Sequence, residues 1–448
     1  MSTDKKQKKQ IVLVIYPGFS LLELVAAHHV WVSATMMSPY ETVVVGPTTD
    51  FIPSSTPLPV RPQKTFADVP NPYALLVIGG GDTAVTAAQN PELVAYVRRA
   101  AANAEIVGSF STGALVLAAA GLLQGKQATT HWAYAGQLAA AGAAYVRQPW
   151  VEDGKIITGA GAATAVDMSL LLVSRLRNLK TAKQVQIMAE WDPHPPFGGI
   201  DWSQVDGHLP AVPSARPASA QTVALVMYEG LTVFDLVGPL EMMAALSRIR
   251  LEFQPVVVAE KLAPVTSDSR LTFMPNQTFA DLPHPDVLIV PGGGTPTLRA
   301  MSHPAIRDYI KAAHEGTQFT TSVCTGALLL ASVGLLHGRD ATTHWGYAGY
   351  LRPYGARYVQ ERWVQSGKII NSAGVSAGID MALHLIAQLT DEATARQVQL
   401  AVHYDPAPPF GDIDYDRFPA AFRLLQKVMR LQASFYTRKP RQMMLQGA

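Results

Sequence analysis

The sequence contains one long pattern twice, and this internal repeat restricts the possible folds more than any other feature. IVLVIYPGFSLLELV at 11–25 matches VALVMYEGLTVFDLV at 223–237, an offset of 212 residues. SFSTGALVLAAAGLLQGKQATTHWAYAG at 109–136 matches SVCTGALLLASVGLLHGRDATTHWGYAG at 322–349, an offset of 213 residues. Solenoid repeats have periods of roughly 20–50 residues. The much longer period here predicts that each copy is a domain with its own hydrophobic core.

The repeat divides the 448 residues into two domains and two flanking segments. Copy one covers 10–207 and copy two covers 222–418. Between them, HLPAVPSARPASAQ at 208–221 is rich in Pro, Ala and Ser, which is typical of an exposed linker. The final segment, 419–448, is basic and amphipathic, and its apolar positions predict a C-terminal docking helix.

Within each copy, short apolar runs rich in β-branched residues alternate with segments rich in Ala and Leu. In copy two the strands are predicted at 222–228, 253–259, 287–293 and 318–323, and the helices near 236–249, 302–315, 325–335, 345–354 and 377–390. Apolar strands separated by helices indicate a mostly parallel sheet that is covered on both faces. We therefore expect two tandem, doubly wound α/β/α sandwiches, with sites at the carboxyl ends of the strands.

Charge and hydropathy exclude several classes of partner. Lys and Arg total 36 and Asp and Glu total 34, a net charge of +2, so no general attraction to nucleic acid or membrane follows. The apolar run at 11–15 is shorter than the ~7–15 residues of a secretory signal. No apolar stretch reaches the ~18 residues of a membrane helix. These features predict a cytoplasmic protein with no membrane and no nucleic-acid partner.

The chain has a single cysteine, Cys324, so it has neither an intrachain disulfide nor a CxxC metal site. Cys324 follows an apolar strand and precedes an Ala/Leu-rich helix. The small residues Ser322 and Gly326 flank it at the spacing of a nucleophile elbow, a sharp strand-to-helix turn that exposes the middle side chain. We expect the helix N-terminus to favour the thiolate. The pattern predicts a catalytic nucleophile; the alternative is a buried structural cysteine.

Two other segments of copy two are expected at the same edge of the sheet. PGGG at 291–294 predicts a Gly-rich turn whose N–H groups, including those of Gly293 and Gly294, could approach a substrate. The alternatives are a phosphate cradle or an ordinary tight turn. Asp235 follows the first strand and could reach the elbow, although Asp is also a frequent helix N-cap.

Histidines give weaker signals than the cysteine. His344 lies 20 residues after Cys324 and could be the base of a triad. His131, however, occupies the same position in copy one, which has no cysteine, so a structural or interface role is favoured. His28 and His29 are adjacent and would point in different directions from a helix. No metal site is predicted.

Four segments of copy two together resemble the ThiJ/PfpI superfamily and, within it, the isonitrile hydratase branch. They are FDLVGPLE at 234–241, PGGG at 291–294, CTGALLLASVGLLHGRDATTHW at 324–345 and SAGVSAGIDMAL at 372–383. Many members of the superfamily have His directly after the cysteine, where this chain has Thr325. The resemblance implies a flavodoxin-like α/β/α domain, usually dimeric, that acts without a cofactor.

The resemblance also implies roles for individual residues. Cys324 would attack the terminal carbon of an isonitrile, Asp235 would supply or relay protons, and Thr325 would assist. The thioimidate would then be hydrolysed to an N-substituted formamide. The remaining candidates would bind the substrate or a developing oxyanion: Gly293, Gly294, Glu241 and His344.

Copy one has lost several of these residues. Ser111 replaces the elbow cysteine, Glu23 replaces Asp235, and Thr112 matches Thr325. Because a serine hydroxyl is a weak nucleophile without an activating base, we expect a degenerate, mostly structural domain. Two alternatives remain: a serine hydrolase that uses Ser111, Glu23 and His131, or a ligand pocket without chemistry.

Three functions follow for the whole chain. The first is a cysteine-dependent isonitrile hydratase. The second is another cysteine chemistry of the superfamily, of the glyoxalase, deglycase or amidase type. The third is a non-catalytic sensor of small molecules or oxidants. The duplication predicts that the two copies form a pseudo-twofold pair within one chain, with the possibility of a further homodimer.

Overall fold

The computed structural model of the chain describes residues 8–35, 38–205 and 219–415. Most of the predicted linker at 208–221 and all of the predicted tail at 419–448 lie outside the described residues. Within the described residues, no helix combines the length and the apolar character needed to cross a membrane.

Copy one alternates strands and helices along its length. Its strands are β1 (Lys9–Val14), β2 (Tyr40–Gly46), β3 (Val60–Arg61), β4 (Lys64–Thr65), β5 (Ala74–Val77), β6 (Ile106–Phe110), β7 (Gln127–Ala128), β8 (Ala144–Tyr145), β9 (Trp150–Asp153) and β10 (Ile156–Gly159). Its α-helices are α1 (Leu21–Thr35), α2 (Asp82–Ala87), α3 (Pro91–Asn103), α4 (Gly113–Ala119), α5 (Ala135–Ala140), α6 (Thr164–Leu176) and α7 (Leu179–Met188).

Copy two repeats this order with small additions. Its strands are β11 (Gln221–Val226), β12 (Phe253–Ala259), β13 (Val265–Thr266), β14 (Thr272–Phe273), β15 (Gln277–Thr278), β16 (Val287–Val290), β17 (Phe319–Val323), β18 (Asp340–Ala341), β19 (Arg357–Tyr358), β20 (Trp363–Ser366) and β21 (Ile369–Ser372). Its α-helices are α8 (Val233–Ile249), α9 (Thr295–Ala300), α10 (Pro304–Gly316), α11 (Gly326–Ser332), α12 (Val375–Leu389) and α13 (Glu392–Val402).

Each copy is organised around one seven-stranded sheet. The strand orders are β4-β2-β1-β5-β6-β10-β9 and β15-β12-β11-β16-β17-β21-β20. All neighbouring strands are parallel except the terminal pairs β9–β10 and β20–β21. The central strands are apolar on both faces and are buried. Two tandem flavodoxin-like α/β domains, as the sequence predicted, are therefore confirmed.

One predicted helix is wrong. Residues 345–354 form two short 3-10 helices, Trp345–Tyr350 and Arg352–Tyr354, rather than one α-helix. Gly346 and Gly349 have low helix propensity, and Pro353 removes a backbone donor. The other predicted helices of copy two occur with shifted ends.

The two copies pack against each other through helices and through a shared sheet. Helix α1 packs against α8. Strand β3 of copy one pairs with β14 of copy two, which places Val60 opposite Phe273. A single continuous cluster of buried apolar side chains runs through both copies.

Each copy also covers the other with an extended segment near its end, which we call a crossing segment. The copy-one crossing segment, 189–202, reaches copy two, where Ser376 Oγ donates to the Glu190 carbonyl oxygen at 2.6 Å. The copy-two crossing segment, 402–413, reaches copy one, where the Ala407 N–H donates to Asp167 Oδ2 at 2.8 Å.

Candidate functional site

Cys324 occupies a sharp turn between strand β17 and helix α11. Its φ is +57°, in the left-handed region that residues other than glycine seldom adopt. Gly326 makes this turn possible, because a Cβ at that position would collide with the Val290 carbonyl oxygen. The Cys324 N–H donates to the Ser372 carbonyl oxygen at 3.0 Å and fixes the turn against the next strand. The backbone geometry is that of a nucleophile elbow.

Asp235 lies in the first turn of α8, beside the elbow. It is fully buried, and neither carboxyl oxygen makes a hydrogen bond of standard geometry among the described residues. The Cys324 thiol and the Gly292 N–H are nevertheless close enough to influence its ionisation. Burial, and then the charge of Asp268, raise the pKa of Asp235 well above its usual value. These effects favour the protonated form of Asp235. Thr232 occupies the N-cap position of the helix, and its side chain donates to Asp268 Oδ2 at 2.8 Å.

The surroundings of the Cys324 thiol raise its pKa, whereas the helix N-terminus, the only effect predicted from the sequence, lowers it. Burial is the largest effect on Cys324, and the charges of Asp235 and Glu190 add to it, so the pKa of the thiol is raised well above its usual value. The N–H of Thr325 at the start of α11 acts in the favourable direction. It does not offset the loss of solvation, because α11 is a short helix of 7 residues. Burial thus opposes the thiolate that the helix N-terminus favours, and it raises the pKa of both the Cys324 thiol and the Asp235 carboxyl.

Thr325 holds the Gly-rich turn in place. Its Oγ1 accepts from the N–H groups of Gly293 at 3.0 Å and Gly294 at 3.1 Å. It also shares a hydrogen bond with Thr297 Oγ1 at 2.9 Å. The two glycine N–H groups predicted to meet a substrate or oxyanion are therefore already bonded within the protein. The Gly-rich turn therefore lines the site in a fixed position.

Two other predicted site residues belong to the contact between the copies. The single O–H of Ser55 in copy one is shared between the two carboxyl oxygens of Glu241, with Oγ at 3.1 and 3.0 Å from them. His344 Nδ1 accepts from the Gly346 N–H at 3.1 Å, and its Nε2 lies 3.3 Å from the Met188 carbonyl oxygen of copy one. His131 makes the matching contact with the Ala401 carbonyl oxygen at 3.2 Å. These bonds favour the interface role for both histidines over a triad role.

Copy one keeps the shape of the elbow without the thiol. Ser111 has a φ of +48°, and Thr112 Oγ1 accepts from the N–H groups of Gly80 and Gly81, both at 2.9 Å. Glu23 Oε2 accepts from the Gly79 N–H at 2.8 Å. Burial is the main effect that raises the pKa of Glu23 to about 8. The structure brings Ser111, Thr112 and Glu23 together, while His131 is bonded to copy two.

The sequence did not single out one carboxyl at the Cys324 site. Glu190 belongs to the copy-one crossing segment, yet its charge acts on both Cys324 and Asp235. The only available signal was the repeated proline-rich stretch, WDPHPPFGGID at 191–201 and YDPAPPFGDID at 404–414, which directly follows Glu190 and His403.

One group of possible metal ligands occurs among the described residues. Asp192, His194 and Asp412 place ligand atoms within 4.8 Å of one another. Asp192 Oδ1 already accepts from the Ile413 N–H at 3.1 Å, and the other two side chains are exposed. This arrangement is an ordinary polar contact between the two crossing segments.

The fold and the elbow define a class: parallel α/β/α sandwiches with a cysteine at a strand-to-helix turn beside a buried carboxyl. The chain belongs to the DJ-1/PfpI family, whose model matches residues 9–175 and 221–388.

Individual proteins are also similar to parts of this chain. An isonitrile hydratase from Pseudomonas putida is 38% identical over 203 residues, which cover 45% of this chain and 86% of that protein. The HTH-type transcriptional regulator CdhR from Pseudomonas aeruginosa is 29% identical over 211 residues, 46% of this chain and 60% of the regulator. A crystal structure of a ThiJ/PfpI family protein from Pseudomonas syringae is 33% identical, covers 51% of this chain and 96% of that one, and has a TM-score of 0.45.

Proposed function

We propose that copy two, residues 222–418, is an isonitrile hydratase that adds water to R–N≡C and releases an N-substituted formamide. The observation that carries the proposal is the fully buried Asp235 carboxyl beside the Cys324 thiol, where burial raises the pKa of Asp235 well above its usual value. The similarity to the Pseudomonas putida isonitrile hydratase supports the same reaction.

The first half of the reaction joins the cysteine to the substrate. Sγ of Cys324 bonds to the terminal carbon, and the Asp235 carboxyl gives its proton to the same carbon. The Asp235 carboxylate then takes the thiol proton. The product is a thioimidate, R–N=CH–S–Cys324, and the carboxyl is again protonated. A protonated Asp235 carboxyl suits this step, because it can give its proton to the carbon as the sulfur bonds to it.

The second half of the reaction releases the product. Water adds to the thioimidate carbon, a proton goes to nitrogen, and the carbon–sulfur bond breaks. The formamide R–NH–CHO leaves and the Cys324 thiol is restored. Thr325 serves this chemistry by holding the Gly-rich turn against the elbow.

The decisive experiment measures formamide production from cyclohexyl isocyanide by mass spectrometry. We expect wild-type turnover, no turnover for Cys324→Ala, and a loss of about 100-fold or more for Asp235→Asn, since general acid catalysis contributes ~10²–10⁴-fold. The matched control is Ser111→Ala at the other elbow, which should keep full turnover. Lactate from methylglyoxal with no formamide, or full activity in Cys324→Ala, would overturn the proposal.

We also infer that copy one, residues 10–207, is a degenerate partner that makes the chain an intramolecular pseudo-dimer. The contacts of Ser55 with Glu241 and of the crossing segments support this arrangement. Light scattering should give the mass of a single 48.2 kDa chain or of a pair of chains. A species of four dissociated domains would contradict it.

A further inference from the structure

The copy-one crossing segment places a carboxyl inside copy two. Glu190 has a φ of +45°, and this turned backbone is fixed by Ser376 Oγ, which donates to the Glu190 carbonyl oxygen at 2.6 Å. Its side chain is fixed separately, because the Trp345 N–H donates to Oε1 at 3.3 Å. Both partners belong to copy two. A residue with two independent anchors in the other domain is held in a defined position.

The second oxygen of this carboxyl, Oε2, differs from the first in its contacts. Oε2 of Glu190 is buried and makes no hydrogen bond within the described part of the chain. Oε2 lies over Gly374. A Cβ at position 374 would collide with Oε2, so this position requires glycine. Gly374 is two residues from Ser372, whose carbonyl oxygen accepts from the Cys324 N–H. An unsatisfied buried oxygen therefore lies beside the strand end that supports the elbow.

A small polar cavity adjoins this oxygen. It has a volume of about 110 Å³ and is lined by Glu190, Arg362, Tyr358, Gln360 and the turn at 373–374, among others. A water molecule occupies ~30 Å³ of the liquid and needs two to four polar partners when buried. The cavity can hold a few waters within reach of Oε2.

Charges around Glu190 set its ionisation in two directions. Burial is the largest effect and raises the pKa of Glu190, and Asp192 acts in the same direction. His344 and Arg362 favour the ionised form. Tyr358 and Tyr415 also face this carboxyl and feel its charge. Glu190 is consequently a stronger base than an exposed carboxylate, and the Arg362 guanidinium is near enough to favour its ionised form.

We propose that Glu190, supplied by copy one, is the general base that activates the hydrolytic water at the Cys324 site. This assignment rests on the proposed isonitrile chemistry and gives the second half of that reaction its missing base. Copy one would then contribute a catalytic residue while its own elbow carries serine.

The proton transfers balance with two carboxyls. Glu190 takes a proton from water as the water oxygen bonds to the thioimidate carbon, and the Asp235 carboxyl gives its proton to nitrogen. The tetrahedral intermediate then collapses: its hydroxyl proton goes to Asp235, the carbon–sulfur bond breaks, and Glu190 gives its proton to the departing sulfur. Both carboxyls and the thiol return to their starting states.

The chain contains a matched control for Glu190. His403 is the corresponding residue of the copy-two crossing segment, with a φ of +54°. It lies over Gly161 of copy one, as Glu190 lies over Gly374. Burial lowers the pKa of His403 well below its usual value. A substitution there disturbs the equivalent contact without touching the thiol site.

The test compares Glu190→Gln with His403→Gln in the full chain. Glutamine keeps the bond from Trp345 but cannot take a proton. After mixing with cyclohexyl isocyanide, intact mass should show one substrate mass added to most Glu190→Gln molecules, because the adduct forms and is hydrolysed slowly. Steady-state turnover should fall about 100-fold, and the fall in turnover on the acid side of the pH profile should disappear. His403→Gln should behave as wild type.

Glu190→Asp distinguishes a base from a structural support, because it should recover part of the turnover that Glu190→Gln loses. Wild-type turnover in Glu190→Gln would overturn the assignment. So would a folded Glu190→Gln that forms no adduct, or equal losses in Glu190→Gln and His403→Gln.

A second measurement separates this assignment from the isonitrile proposal. Because Cys324 is the only thiol, iodoacetamide reports on it alone. Removing the nearby carboxylate should lower the pH at which alkylation becomes fast in Glu190→Gln, and should leave His403→Gln unchanged. If wild type forms no formamide but the alkylation shift is present, the isonitrile chemistry fails while Glu190 remains a site residue. If the alkylation profile is unchanged, the assignment of Glu190 fails.

Discussion

Thr325 and Thr112 do the same work at the two elbows. Each hydroxyl oxygen accepts two backbone N–H bonds from the Gly-rich turn of its own copy. All four donors lie in tight turns with no other partner for these N–H groups described. Substituting each threonine in turn therefore distinguishes two effects of its hydrogen bonds to the Gly-rich turn: the effect on protein stability and the effect on the Cys324 site.

We expect Thr325→Val and Thr112→Val to destabilise the protein similarly, by ~1–3 kcal/mol, because each leaves buried backbone donors unsatisfied. Only Thr325→Val should slow formamide production, since only its turn faces a thiol. Chemical denaturation measures the first effect and steady-state kinetics the second. An equal kinetic loss in both variants would mean that the turns act through global stability alone.

At the level of single residues, local chemistry was predictable and contacts between the copies were not. Cys324 and Asp235 were identified because elbow spacing and the end of a strand are encoded within a few residues. The contact of Glu241 with Ser55 was not predictable, since the two residues are 186 positions apart. The effect of the helix N-terminus on the thiol was predictable from the sequence, but the opposing effect of burial was not, because burial depends on the whole fold.

Helices α1 and α8 are matching elements of the two copies, and one of the buried positions at which they differ carries a histidine in α1. His28 of α1 is buried, and neither ring nitrogen has a hydrogen-bond partner in the described ranges. Burial lowers the pKa of His28 to about 3. Leu240 occupies the equivalent position in α8 and is fully buried. The sequence excluded a metal role for His28 from its neighbour His29, but it gave no sign of this unpaired ring.

His28→Leu should remove part of the acid sensitivity of the protein. The unfolded chain binds a proton at this residue below pH ~6.5, whereas the folded chain stays neutral to about pH 3, so the free energy of unfolding falls as pH decreases across that window. At pH ~5 the variant should be more stable than wild type by about 2 kcal/mol, and at pH ~8 at least as stable. Urea unfolding at both values measures this. The same pH slope in variant and wild type would contradict it.

Strands and helices with a regular pattern of apolar residues could be predicted from the sequence, and those with a short or interrupted pattern could not. The four principal strands of copy two were predicted because their apolar runs are continuous and end at turns. The stretch 345–354 was not, because its apolar spacing suits an α-helix while two glycines and a proline prevent one. The short helix α9 was missed because its 6 residues are too few to show a period.

At the scale of the whole molecule, the crossing segments join the copies with one asymmetry. Asp380 of copy two receives the His194 N–H at 2.9 Å and also pairs with Arg362. Asp167 of copy one receives the Ala407 N–H at 2.8 Å, but Pro149 stands where the arginine would be. Burial raises the pKa of Asp167 to about 7. Burial also raises the pKa of Asp380, but the charge of Arg362 acts against it. The two contacts therefore differ in the arginine pair, which only Asp380 has.

Asp380→Asn should cost ~3 kcal/mol at neutral pH, because it leaves the partly buried Arg362 without its closest carboxylate. Asp167→Asn should cost less, about 1–2 kcal/mol, because no arginine is left unpaired there; the asparagine oxygen can accept only one of the two bonds that Trp191 Nε1 and the Ala407 N–H donate to the carboxyl oxygens. Denaturant titrations of the two variants measure the difference. Equal costs would show that the Arg362 pair contributes nothing to the junction.

The two crossing segments carry different residues at matching positions, Glu190 and His403. This difference has a consequence for how the sequence of the chain can change during evolution. In a pair of identical chains, one codon encodes the residue that enters both sites, so every substitution is made twice. Joining the copies in one chain removes that constraint. The crossing position has become Glu190 where the receiving elbow carries a thiol and His403 where it carries a hydroxyl. Selection on the chemistry of one half can therefore act on residues of the other half, and neither copy is free to drift alone.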